Sequence, residues 1–381
     1  MILLACQEKG VSVIYGLREP LRNSDKILLV LPLIFAVISI LMVGSTSYTD
    51  HFNITRDVVV QAAAYVIGYV LMLVMLTINY AQYEGIYKFM YVFSLVFMLL
   101  VFTPLGVSQY GSRAWINLGF TTLQPCEFVK ITFTLWYASY LKRHKDELGH
   151  LAGLLRAVFW ALPVIGAIAI EDLGNALVLC FMTMMMIFFA GVDGKLFAKC
   201  IAVVVACTPL AYLMMKGHQK ERIDAFLHPG DKSLPGNYQV WNSKVAIGSG
   251  GIDGKGLFQG TQKSLNYLPV AKSDFIFSVI GEELGFIGGI GIIALYALFI
   301  YRLIRIGRNS RDLFGMLIVT GLCAMFFFQL FENIGMTMGI MPVTGITLPF
   351  VSYGGTSVIA NLMALGIIIG IGARSKIIHF G

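Results

Sequence analysis

The sequence predicts an all-α polytopic integral membrane protein, and three observations lead there. The 381 residues are 57% hydrophobic and only 13% charged, with a mean hydropathy of +0.77, a composition that no soluble globule of this size shows. About ten apolar runs reach or approach the length that crosses a hydrocarbon core. They fall within 27–44, 58–78, 88–104, 124–141, 153–169, 173–190, 197–215, 275–303, 313–336 and 354–374. None alternates with period two, so a membrane barrel is excluded. In lipid each run must satisfy its own backbone as a helix.

The first 26 residues are polar and mixed in charge and show no cleavable signal-peptide pattern, so the first apolar run is expected to serve as the insertion signal. Basic residues set the orientation. With the amino terminus inside, Arg18, Arg22, Lys142, Arg143, Lys145, Arg302, Arg305, Arg308 and Arg311 fall on the inner side, whereas the short outer loops hold only Arg56 and Arg113. Both termini are therefore expected in the cytoplasm. The net charge of +7 is mainly topological and does not indicate nucleic-acid binding. The expected organisation is a cytoplasmic segment 1–26, one membrane domain 27–374 and a cytoplasmic end 375–381. Residues 216–273 would form a large extracytoplasmic loop between helices 7 and 8. The six cysteines show no CxxC spacing and mostly lie in apolar runs, which reads as small core side chains rather than disulfides or metal ligands.

Polar residues inside such a chain mark chemistry or bracing. In LQPCEFVKI, Glu127 and Lys130 stand three apart on one helical face and can pair, either to brace the bundle or as part of a proton or substrate path. The outer loop places six glycines between Gly248 and Gly260. Arg222, Lys244, Lys255, Lys263 and Lys272 surround them with positive charge. Glycine-rich backbone can close on phosphate oxygens as a nest, so an anionic headgroup is the expected ligand; a loop solvated by its lysines is the alternative. A nucleotide P-loop is excluded, because Ser249 stands where glycine is needed and Gly256 where a hydroxyl is needed.

Asp274 opens the next apolar run, where it is either a helix N-cap or a half-desolvated general base. Glu282 and Glu283, two turns further in, need partners or a water-filled cavity. Finally, 329–357 is broken by Pro342, Pro349 and several glycines. It is expected to fold back as a re-entrant outer loop lining the same site.

Seven stretches together resemble the SEDS family of shape, elongation, division and sporulation proteins, the FtsW/RodA/SpoVE family, over nearly the whole chain. They are SRAWINLG at 112–119, QPCEFVK at 124–130, EDLGNALV at 171–178, RIDAFLHP at 222–229, YQVWNSKVAIGSGGIDGKGLFQGTQ at 238–262, LPVAKSDFIFSVIGEELGFIGG at 268–289 and NIGMTMGIMPVTGITLPFVSYGGTS at 333–357. The resemblance implies a peptidoglycan glycosyltransferase that polymerises lipid II into β-1,4 glycan on the outer face of the bacterial cytoplasmic membrane. It implies Asp274 as the catalytic carboxylate, with Arg113, Lys130, Arg222, Lys244, Lys255, Lys272 and Ser352 on the substrate.

The family's QPxExxK motif falls on Gln124, Pro125, Glu127 and Lys130. Where the family has QPDxGT this chain has Glu171, Asp172, Leu173, Gly174 and Asn175, so the roles that rest on that proline or threonine do not carry over from the resemblance. The implied partners are lipid II, undecaprenyl-pyrophosphate-linked glycan, membrane lipid, a class B penicillin-binding protein as transpeptidase, and other proteins of cell-wall elongation. No cofactor is required by the sequence, although a divalent cation, Mg or Mn, would suit a pyrophosphate leaving group. Short cytoplasmic ends favour a RodA-like elongation member over a division or sporulation one. The competing class is a flippase or transporter for the lipid-linked precursor.

Overall fold

The computed structural model describes residues 20–46, 53–109, 112–117, 119, 122–231, 234–265, 267–268 and 270–375. Arg18, Cys6 and most of the terminal segments lie outside the described residues. Each of the ten apolar runs coincides with a helix: α1 Lys26–Ser45, α2 Arg56–Thr77, α3 Tyr87–Leu99, α4 Pro125–Arg143, α5 Leu151–Ala169, α6 Leu173–Phe189, α7 Gly194–Met214, α10 Ile276–Arg308, α11 Leu313–Met338 and α12 Gly355–Ser375. Two longer helices, α8 Gly217–Leu227 and α9 Pro235–Ser249, and a single helical turn at Thr261–Ser264 lie within the large loop. Six of the helices (α1, α2, α5, α10, α11 and α12) are long and apolar enough to cross a membrane. α6 is apolar but shorter.

Polar caps stop these helices where the apolar runs end. Asp25, Thr55, Asp172, Asp193 and Asp312 each accept a backbone N–H in the first turn of α1, α2, α6, α7 and α11. Packing is closest between α2 and α12. A Cβ on Gly68 would lie 2.6 Å from Leu362, and one on Gly366 would lie 2.3 Å from the Met72 carbonyl. Small residues let the two backbones approach, as membrane helices require. The chain also builds a small antiparallel sheet that the sequence reading did not foresee: β1 Gly106–Gln109, β2 Ser112–Asn117 and β3 Thr122–Leu123 in the order β1-β2-β3. β2 turns Ala114 and Ile116 inward, a period-two signal only a few residues long.

The glycine-rich loop folds differently from a phosphate nest. α10 is interrupted at Gly285, which takes φ 64° and ψ −161°. The loop docks onto this break and completes its hydrogen bonds. Phe286 N–H donates to Gly251 O at 2.9 Å and Ile287 N–H to Ile252 O at 3.2 Å, while Lys255 N–H and Gly256 N–H donate to the Glu282 and Glu283 carbonyls, both at 3.0 Å. The glycines serve this contact: a Cβ on Gly254 would lie 2.1 Å from Glu283 O, and one on Gly250 would lie 2.0 Å from Gly281 O.

Side chains lock the same joint. Glu282 receives Lys255 Nζ at 2.6 Å and Thr261 N–H at 2.8 Å. Glu283 receives Lys263 Nζ and the Ser45 hydroxyl, both at 2.5 Å. The cations that these buried carboxylates needed thus come from the loop itself, and Ser45 of α1 adds a hydroxyl at Glu283. The four described cysteines that the structure records as free, Cys126, Cys180, Cys200 and Cys323, form no disulfide.

The joint predicts that Gly285→Ala destabilises the protein on the order of 3 kcal/mol, because the added Cβ meets Gly254 N at 2.3 Å and Ile252 O at 2.5 Å at a positive φ. Gly291→Ala, on the same helix with open space around it, serves as the control. Thermal unfolding in detergent, with proteolysis of the 250–260 loop followed in parallel, would separate them. Equal stability of the two variants would contradict the docked joint.

Candidate active site

One cavity of about 790 Å³ opens between α2, α4, α6, α8, the 270–274 strip, α11, the 342–347 segment and the start of α12. Its wall is mainly apolar, with Ile67 and Leu177 exposed on the outer surface of the bundle. Asp274, Arg222, Lys272, Glu127, Glu171 and Asp172 supply its charge.

Asp274 is held through its backbone by the re-entrant segment. Three consecutive carbonyls are gripped in turn: Tyr353 N–H donates to Lys272 O at 2.8 Å, the Ser352 hydroxyl to Ser273 O, and Asn333 Nδ2 to Asp274 O at 2.9 Å. Asn333 also donates to Ile346 O at 2.8 Å, which ties α11 and the re-entrant segment to the strip. The expectation that this segment lines the site holds, although α11 stays helical as far as Met338 and the irregular backbone occupies 339–354. Ser352, expected on the substrate, does not line the cavity; its hydroxyl donates to Ser273 O and accepts from Leu348 N–H.

The N-cap reading of Asp274 fails. Phe275 occupies the cap position of α10, and no side chain caps that helix. Burial pushes the Asp274 carboxyl up to about 6; Ser273 and the Arg222 charge oppose this, and Asp172 adds to it. Arg222 is anchored by donating to Thr344 O at 2.8 Å. Gly345, at φ +81°, keeps the space between the two groups open: a Cβ there would lie 3.6 Å from Asp274 Oδ2 and 3.8 Å from Arg222 Nη1. Lys272 lines the cavity while pairing with Asp57 at 2.5 Å across a partly exposed contact.

A buried polar chain forms the inner wall. Lys130 Nζ donates to Glu127 Oε1 at 2.8 Å and to Asn175 Oδ1 at 3.0 Å, and Asn175 Nδ2 donates to Asp172 Oδ2 at 2.8 Å. Gln124 reaches the same Asp172 oxygen at 3.2 Å. The expected Glu127–Lys130 pair is therefore present, and Asn175, the departure from the family motif, is the bridge that joins it to Asp172. Glu127 Oε2 has no protein partner although it is buried.

Three other expected residues sit elsewhere. The Arg113 guanidinium donates to Thr103 O at 2.8 Å and braces the small sheet. Lys255 is turned to Glu282 and does not line the cavity. Lys244 is exposed and lines a small neighbouring pocket together with Arg222. Asn333, Asp172 and Asn175 were missed as site residues. Asn333 is neutral and its role is read only across the fold, whereas Asp172 and Asn175 stood in a quoted motif whose departure drew attention away from them.

The family model for FtsW/RodA/SpoVE, described as cell cycle protein, matches residues 25–377. The chain belongs to this family. Among its members, the peptidoglycan glycosyltransferase MrdB of Escherichia coli K12 is 32% identical, over 93% of this chain and 95% of that protein. Stage V sporulation protein E of Bacillus subtilis is also 32% identical, over 93% of this chain and 98% of its own length. The fold matches a chain of a peptidoglycan synthase complex that coordinates polymerization and crosslinking (TM-score 0.77, 28% identity, 93% of this chain and 98% of that one). It also matches the Thermus thermophilus rod shape determining protein RodA (TM-score 0.69, 27% identity, 93% and 98%).

The inner wall predicts that Glu127→Gln and Lys130→Met each cost about 3–5 kcal/mol, since either leaves a buried charge alone. Their losses should be strongly non-additive. A double-mutant cycle of thermal stability reads the coupling, and additive losses would contradict the pair.

Proposed function

We propose that this glycosyltransferase polymerises lipid II into β-1,4 glycan strands on the outer face of the cytoplasmic membrane, with both termini in the cytoplasm. The observation that carries the reading is the Asp274 carboxyl, raised to about 6, near Arg222 and Lys272 at a mainly apolar cavity whose other carboxylates are Glu127, Glu171 and Asp172. Asp274 takes the proton of the acceptor's 4-hydroxyl. The freed oxygen bonds to the donor's anomeric carbon, and the bond from that carbon to the pyrophosphate oxygen breaks, its electron pair leaving with the polyprenyl pyrophosphate. Backside attack turns an α-linked donor into a β-glycoside. A glycosidase needs a second carboxylic acid to protonate a poor leaving group; a pyrophosphate needs only cations around its developing charge, which Arg222 and Lys272 provide. The apolar wall, exposed at Ile67 and Leu177, suits the polyprenyl chain.

Among the described residues no group of three or more His, Cys, Asp or Glu side chains could hold a metal ion, so no step is assigned to a divalent cation. The similarity to a peptidoglycan synthase complex supports a class B penicillin-binding protein as the partner that cross-links the product, alongside other proteins of cell-wall elongation. The similarity to MrdB and to the rod shape determining protein supports a role in elongation and rod shape. A division or sporulation role is the alternative within the family, and a precursor flippase is the alternative outside it.

Asp274→Asn should keep the fold and lower polymerisation about 10²–10⁴-fold, the range of a lost general base. Purified protein, with its partner supplied, would be incubated with labelled lipid II and the products resolved by length. A folded Asp274→Asn with full activity would remove the base. A folded wild type that leaves lipid II unchanged in detergent would favour the flippase.

A further inference from the structure

A polar side chain buried in a membrane protein is costly unless something hydrogen-bonds it, and the buried amides of the described residues follow that rule with one exception. Gln61 donates to Ser39 and to Ser352 O and accepts from Gly354 N–H. Gln219 donates to Ala169 O and accepts from Lys216 N–H. Asn175, Asn237, Asn242, Asn333 and Asn361 each donate at least one bond. Gln329 makes none. It is 1% exposed, its Oε1 is buried without a partner, and neither end of its amide bonds to another described residue.

Gln329 lines the main cavity from α11. It stands four residues, about 6 Å along the helix, from Asn333, which holds the Asp274 carbonyl. The helix itself is fixed against α4 and α6, where a Cβ on Gly321 would lie 2.6 Å from Met186 and 2.7 Å from Thr134. A rigid element therefore carries an uncommitted amide into the cavity, one turn from the point that holds the base.

We propose that Gln329 is a specificity-determining residue that hydrogen-bonds the 2-acetamido group of a sugar held at Asp274. The inference rests on the lipid II reading above and names a part of that substrate which the cavity reads. The other parts already have complementary surfaces: the pyrophosphate is drawn to Arg222 and Lys272, and the polyprenyl chain to the apolar wall. A neutral amide suits neither. An acetamido group, bonded to the carbon next to the anomeric one, offers a carbonyl acceptor and an N–H donor. Rotation about its last side-chain bond lets Gln329 present an NH2 or an oxygen in return. A hydroxyl at the same carbon lacks that reach and leaves the buried amide unbonded, which is the ground on which hydrogen-bonding sites discriminate most strongly.

Gln329→Met, of similar length and without a polar end, should raise KM for lipid II about tenfold to hundredfold with kcat little changed, the range of one buried hydrogen-bonding partner. It should also hold or raise the unfolding temperature, because an unbonded buried amide costs the free protein stability. Two lipid II analogues carry a 2-hydroxyl in place of the acetamido group, one on the sugar with the attacking 4-hydroxyl and one on the sugar with the pyrophosphate. Wild type should lose about the same factor with one of them, which identifies the sugar. With that analogue Gln329→Met should lose nothing more. The assay uses the purified full chain with its partner, with initial rates and thermal unfolding read in parallel.

An unchanged KM in Gln329→Met overturns this inference alone. So does a KM penalty that persists undiminished with both analogues. A fall in unfolding temperature, or a variant that fails to fold, overturns it as well, since the amide would then be bracing the free protein. A wild type that makes no polymer overturns the lipid II reading and this inference with it.

Discussion

Two adjacent carboxylates buried in an apolar bundle set the arrangement of the half of this protein that holds the cavity. Glu282 and Glu283 are 0% and 1% exposed, and an uncompensated charge at that depth would be too costly for the fold to tolerate. Their cations, Lys255 and Lys263, come from the loop that precedes α10, so the loop has to return to the helix it leads into. Glycines at 250 and 254 make that return possible at backbone distance, and the break at Gly285 receives the hydrogen bonds it lost inside the helix. The loop thus ends in a fixed place. Its last residues, 272–274, fall where Tyr353, Ser352 and Asn333 grip them, and Asp274 faces the cavity as a consequence.

The same accounting explains why the site has the charge it has. Most of the loop's lysines are committed to carboxylates, whereas Arg222 makes no ion pair among the described residues and acts on Asp274. Lys272 shares its charge with Asp57 through a contact that water can reach, so it can turn toward an arriving anion at small cost. Deeper in, the chain from Gln124 through Asp172 and Asn175 to Lys130 and Glu127 fixes the wall of the cavity. It also brings the Asp172 charge near enough to Asp274 to help raise its pKa. A carboxylate poised near 6 is mostly ionised at neutral pH and still basic enough to assist a hydroxyl.

Much of the fold was legible because lipid imposes simple rules. The ten apolar runs read directly as helices, the i,i+3 spacing of Glu127 and Lys130 read as a pair, and prolines and glycines after α11 read as irregular backbone beside the site. What stayed hidden depends on contacts between distant parts of the chain. Nothing near Lys255 in sequence says that its partner is Glu282, and a glycine-rich loop that docks on a broken helix has the same composition as one that cradles phosphate. The family resemblance implied Ser352 and Arg113 as ligands, yet their donors go to backbone carbonyls. Asp274 illustrates the limit most clearly, since a helix-opening aspartate is locally the same whether it caps or catalyses. The Phe275 cap removes the capping reading, and the cavity around Asp274 is what the fold adds.

The pH dependence of kcat/KM for lipid II polymerisation tests the central claim most directly, because it reports the ionisation of the free enzyme's base. Activity should rise with unit slope as pH increases through about 6, where Asp274 loses its proton. Arg222→Gln should move that limb to higher pH, since the guanidinium charge holds the carboxyl down. A profile flat from pH 5 to 8, or a limb that stays in place when Arg222 is neutralised, would contradict the assignment of Asp274 as the base.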